Sequence, residues 1–238
     1  MLKKINENKH VLLLLYFPIY MIAFSYLEKR VTDKIHIIDC SLDQYIPFLE
    51  IFVVPYLLWF LYIAVTGFYF LFREKESFCR LMYFGMIGMT LFLVVSFLYP
   101  NGLELRPETF PRDNIFTDMT KFVYAMDTPT NVCPSIHVFN SMGVLFGVRN
   151  SEKLKNRKWI QNGATISTAL IILSTMFLKQ HSVVDVLMAM VLSYLSYDLV
   201  YNGRWNHIFQ SFEEVRYKFA GNYTGFGRPG KRIGKQNR

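Results

Sequence analysis

The stretch STMFLKQHSVVD, Ser174 to Asp185, sets His181 four residues before Asp185 between two apolar runs. At the start of a helix this spacing puts both side chains on one face. A carboxylate bonded to one imidazole nitrogen fixes the tautomer and leaves the other nitrogen free as nucleophile or base. The bland reading is a pair that only satisfies itself inside a bundle. Ionisable groups in apolar surroundings are costly, however, and are kept mainly for function.

A second cluster, CPSIHVFNS, carries Ser135, His137 and Asn140. Pro134 suits the first turn of a helix. The free N–H groups at that start, with the Ser135 hydroxyl, then form a seat for an anion such as phosphate. Taken alone, His137 reads equally well as an interfacial residue. The third cluster, LRPETFPRD, holds Arg106 and Arg112, and an arginine in such a loop is by default a solvated charge. Zinc on His137, His181 and Asp185 is a chemical alternative that nothing in the spacing favours. Cys40, Cys79 and Cys133 make no CxxC or metal-ligand pattern; pairing of Cys40 with Cys133 is left open.

The elements that must position these clusters are apolar. Of 238 residues, 52% are hydrophobic and 17% aromatic, with a mean hydropathy of +0.21. The apolar residues cluster in blocks near bilayer length: Val11–Leu27, Phe48–Phe72, Cys79–Tyr99, Ser135–Val148, Trp159–Leu178 and Val183–Tyr201. The fourth is short and carries polar residues. These blocks predict an all-α, polytopic membrane protein, a six-helix bundle over residues 1–201. A soluble helical protein would have to hide nearly every helix on all sides in a small chain. The basic start before Val11 and Ala23-Phe24-Ser25 also fit a signal peptide weakly, but the long apolar run favours an anchor. GMIGM, Gly85 to Met89, reads as a small-residue packing face.

Charge orients the bundle. With both termini inside, 19 of the 26 Lys and Arg residues fall on the inner side and 7 on the outer, the positive-inside pattern. The basic, Gly-rich end of residues 202–238, GFGRPGKRIGKQNR, is expected to be a disordered cytoplasmic tail touching anionic headgroups. Nucleic-acid binding would be accidental to the fold. All three polar clusters then converge at one outer mouth of the bundle.

Together, Arg106-Pro107, Pro134-Ser135-x-His137 and the S-x6-H-x3-D spacing of Ser174, His181 and Asp185 resemble the type-2 phosphatidic acid phosphatase superfamily. That superfamily includes lipid phosphatases, lipid phosphotransferases and vanadium haloperoxidases, and its pattern is K-x6-R-P, P-S-G-H and S-R-x5-H-x3-D. The resemblance implies a metal-independent enzyme with no cofactor. It makes His181 the nucleophile forming a phosphohistidine, Asp185 its orienting partner, and His137 the acid and then the base. Arg106, Ser135, Ile136 and Ser174 would hold the phosphoryl oxygens. The chain departs from the pattern at Tyr99, Ile136 and Thr175, where the family has Lys, Gly and Arg. Lys179 is expected to replace one lost cation, and Arg112 or Lys121 the other.

Loss of the third-motif arginine also resembles the inositol phosphorylceramide synthase-like branch, with its T-M-x-L-x-x-H-x-x-x-D. The expected function is therefore a lipid phosphatase at the outer leaflet, in the plasma membrane, with the partners being a phosphorylated lipid substrate and bilayer lipids. Phosphatidic acid, phosphatidylglycerol phosphate and polyprenyl pyrophosphate are candidate substrates. A headgroup phosphotransferase and a non-catalytic lipid-binding remnant are the alternatives.

Overall fold

A computed structural model describes residues 9–30 and 34–202. The expected disordered tail and the first basic residues lie outside the described residues. The described residues are mostly helical, at 73%. A 3-10 turn over Lys9–Leu15 leads into α1 (Tyr16–Lys29). Another over Glu50–Phe52 leads into α2 (Val53–Arg73). Pro18 and Pro55 are the third residues of these two α-helices, just past the change from 3-10 geometry. Next come α3 (Lys75–Leu98), α4 (Ile115–Met126), α5 (Ile136–Asn150), α6 (Lys158–Phe177) and α7 (Val183–Tyr201).

Among the described residues, five helical segments are long and apolar enough to cross a membrane: His10–Lys29, Glu50–Arg73, Lys75–Leu98, Lys158–Phe177 and Val183–Tyr201. Large apolar side chains such as Phe60, Leu61, Phe68 and Phe72 of α2 lie exposed on the bundle's outside. This is the distribution of an integral membrane protein, whose solvent is lipid.

The expected fourth span is a helix of a different kind. With 15 residues, α5 is about 22 Å long, short of a hydrocarbon core of about 30 Å. It packs against α2, α3, α6 and α7, and every residue from Ser141 to Val148 is buried. Protein rather than lipid surrounds it, which is why its sequence tolerates Asn140, Ser141 and two glycines.

Close approach of α3 to α5 is set by paired glycines and phenylalanines. A Cβ on Gly143 would lie 2.6 Å from the Phe84 ring, and one on Gly88 would fall inside van der Waals contact of the Phe139 ring. The two rings stack at 4.6 Å. Only half of the GMIGM face is used this way, since Gly85 has open space where its Cβ would be.

At one end of the bundle the connections form a lid of short elements. β1 (His36–Ile37) pairs in parallel with β2 (Asn101–Gly102). Gly102 also bridges Thr130, and a Cβ there would come within 2.8 Å of the Pro129 carbonyl. Helix α4 was not among the predicted elements. Asn114 caps it by accepting from the N–H groups of Phe116 and Thr117, and Phe116, Met119 and Val123 turn inward onto Val53, Tyr56 and Leu178.

Candidate active site

The turn from α6 to α7 carries His181. Lys179 takes a left-handed conformation with φ 54°. The chain thereby reverses so that the Thr175 carbonyl accepts from both Gln180 N at 2.9 Å and His181 N at 3.1 Å. Ser182 then caps α7, its Oγ accepting from Val184 N at 3.2 Å. His181 therefore lies just outside the helix and Asp185 within its first turn, so the pair closes across the helix entry rather than along a helical face. His181 Nδ1 and Asp185 Oδ2 are 2.8 Å apart. Asp185 is fully buried and His181 nearly so.

Ser135 starts α5 as its cap, not as its first helical residue, so Pro134 precedes the cap instead of occupying the first turn. Ser135 Oγ accepts from Val138 N at 3.4 Å, and the Ser135 carbonyl accepts from Phe139 N. The N–H groups of Ile136 and His137 are the remaining two at that helix end. His137 projects between Tyr56 and Trp59, with ring centroids 4.6 and 4.3 Å away. Its ring centroid is 5.6 Å from that of His181. The two histidines predicted from separate motifs do meet.

Arg106 reaches the same place from the loop after α3. Its Nη1 donates to the Tyr124 carbonyl, and its Nη2 to the Asp127 carbonyl at 2.8 Å and Gln180 Oε1 at 2.5 Å. The guanidinium also lies 4.3 Å from the Tyr124 ring centre. Burial lowers the arginine's pKa against the pull of Asp127. Burial likewise raises the Asp127 carboxyl, opposed by His181 and Arg106, and Tyr56 donates to Asp127 Oδ2 at 3.2 Å.

The remaining expected phosphate ligands are otherwise engaged. Ser174 Oγ donates to the Ile171 carbonyl at 2.7 Å, and Thr175 Oγ1 to that of Ile172 at 2.7 Å. Helical hydroxyls commonly bond back in this way, and here it uses both hydroxyl protons, leaving neither to donate to an anion. Lys179 Nζ donates to the Asp43 carbonyl at 2.7 Å, so serving as the replacement cation would require breaking that bond. Arg112 grips Glu50 with two bonds at 2.5 and 2.7 Å, and Lys121 pairs with Asp113 and Asp118. Tyr99, at the family lysine position, stacks on His36 at 4.1 Å. Cys40, Cys79 and Cys133 are all free thiols. Among the described residues no three His, Cys, Asp or Glu side chains group to hold a metal ion.

Four positioning residues escaped the sequence reading. Asp43 accepts from Cys40 N at 2.8 Å, Ser182 Oγ at 2.6 Å and Val183 N at 2.8 Å. Burial would raise its pKa, but these bonds outweigh it and hold the carboxyl below its usual range. Asn101 Oδ1 accepts from Val132 N and Cys133 N, both at 2.9 Å, and so shapes the entry to α5. Asp127 and Gln180 brace Arg106. Asn-Gly is a turn signal, whereas Asn101 and Gly102 form β2 here; the other three carry no comparable local signal.

A family model of the PAP2 superfamily matches residues 80–209. That is more than half of the 238-residue chain and includes Arg106, Ser135, His137, His181 and Asp185. The chain belongs to the PAP2 superfamily, and membership points to phosphatase- or phosphotransferase-type activity on a phosphorylated substrate. Among curated proteins and among solved structures, nothing matches the chain.

Proposed function

We propose that this protein is an integral membrane phosphatase that hydrolyses a lipid phosphomonoester or pyrophosphate at the outer leaflet. The observation that carries the reading is the His181–Asp185 bond at 2.8 Å with the His137 ring 5.6 Å from that of His181. With Nδ1–H donated to Asp185, the lone pair of His181 Nε2 attacks phosphorus. The P–O bond to the lipid breaks as His137 protonates the leaving oxygen. His137, now neutral, takes a proton from water, the water oxygen attacks phosphorus, and the P–N bond of the phosphohistidine breaks to release phosphate. Arg106 and the α5 N–H groups offset charge on the phosphoryl oxygens. The excess of basic residues on the inner segments supports an outward-facing site, with six membrane-embedded helices if α5 is counted among them.

Transfer to a lipid or polyol hydroxyl is the second reading, favoured by Thr175 standing where hydrolases of the superfamily keep an arginine. Purified protein in detergent with chelator, offered phosphatidic acid, phosphatidylglycerol phosphate and polyprenyl pyrophosphate, separates the two. Phosphate release without an added alcohol supports the hydrolase. Turnover only with an acceptor alcohol supports the transferase, and no turnover with either, and no phosphoenzyme, rejects both.

A further inference from the structure

Three buried N–H groups around the histidines have no acceptor. They are Arg106 Nε, Gln180 Nε2 and Trp59 Nε1. Gln180 is only 4% exposed, and its Oε1 already takes a bond from Arg106 Nη2 at 2.5 Å. The amide is therefore oriented by the guanidinium, with its NH2 end left over. Its backbone shares the Thr175 carbonyl with His181, which ties it rigidly to the nucleophile. Trp59 packs against His137, its ring centroid 4.3 Å away. A buried donor with no partner is disfavoured unless something external supplies the acceptor. Donors next to each of the two histidines, one of them on a guanidinium, call for an anion with several acceptor oxygens.

We infer that the side-chain amide of Gln180, held by Arg106, donates to a phosphoryl oxygen of the substrate and fills the place of the missing third-motif arginine. The cations first expected there are committed elsewhere: Lys179 to the Asp43 carbonyl, Arg112 to Glu50, Lys121 to Asp113 and Asp118. Trp59 supplies a further donor on the His137 side. The identity of the anion as a phosphoryl group rests on the proposed phosphatase reading.

Gln180→Glu isolates the donor, because a carboxylate still accepts from Arg106 but offers no N–H. Gln180→Met keeps the length and removes both functions. Two measurements apply to each purified variant: binding of inorganic phosphate by calorimetry, and kcat/KM on the lipid substrate with orthovanadate inhibition. Both variants should keep the wild-type Tm without phosphate. They should lose phosphate and orthovanadate binding and lower kcat/KM by roughly a hundredfold, the scale of one lost oxyanion donor. Gln180→Glu with wild-type phosphate binding and turnover overturns the inference and leaves the phosphatase reading standing. Gln180-dependent phosphate binding in a protein that turns over no lipid does the reverse. Loss of activity together with a collapsed Tm in both variants makes Gln180 a structural brace and also overturns the inference.

Discussion

Replacing Asp43 by alanine tests whether a residue far from the motifs holds the nucleophile in place. The substitution strands three donors: Ser182 Oγ, Val183 N and Cys40 N. Ser182 is fully buried, so its hydroxyl bears a full desolvation cost of about 1–3 kcal/mol. Val183 and Cys40 are only partly buried, and water can replace part of what they lose. Loss of a carboxylate at the start of α7 removes about 0.3–1 kcal/mol more. The sum is about 3 kcal/mol, or roughly 6–12 °C in Tm for a chain of this length. Lys179 keeps its bond, because it binds the Asp43 main-chain carbonyl. Freed from Asp43, Ser182 no longer anchors the first turn that carries Asp185, so kcat should fall with Tm. Thermal unfolding in detergent and phosphate release read the two effects. Asp43→Ala with wild-type Tm and wild-type kcat would refute the reasoning. The carboxyl is held below its usual pKa, so its contribution is full above about pH 4 and is lost as pH falls further.

Asp185→Asn should leave expression intact and lower kcat about ten thousandfold, because an amide N–H facing Nδ1 forces the proton onto Nε2 and removes the attacking lone pair; a steady-state assay decides. Lys179→Ala should cost less than about tenfold in kcat/KM, since its ammonium serves the Asp43 carbonyl, whereas a hundredfold loss would put it on the phosphate. Gly88→Leu should lower stability by about 1–3 kcal/mol through overpacking against Phe139, read as a drop in Tm in detergent. Gly88→Ala combined with Phe139→Leu should lose less than the two changes separately, as contacting residues do.

How much of this was legible in the sequence follows the range of the interactions. His181 and Asp185 are four residues apart, and the apolar runs are local, so both the pair and the long helices could be read directly. The motif order brought His137 and Arg106 to the same end of the bundle. Asp43 and Ser182 are 139 residues apart, and Arg106 and Gln180 are 74 apart; no local pattern encodes such partners. The acceptor of Lys179 is equally beyond local pattern, being a main-chain carbonyl 136 residues away. Helix α5 reads as a weak span because it is short and carries Asn140, Ser141 and two glycines, which its protein surroundings tolerate. Helix α4 was readable after all: Asn114 before Phe116, Met119 and Val123 is a cap followed by helical spacing, but the charged loop around it masked the signal.

The central claim is a covalent phosphohistidine at His181, and trapping it is the most direct test. Wild-type protein and the variants His137→Ala and His181→Asn are mixed with a labelled phospholipid bearing a good leaving group, quenched at alkaline pH where phosphohistidine survives, and digested for mass spectrometry. The account predicts label on the peptide containing His181, the largest amount in His137→Ala, where the second step lacks its base, and none in His181→Asn. Turnover by His181→Asn at the wild-type rate, or label on any other residue, would contradict it.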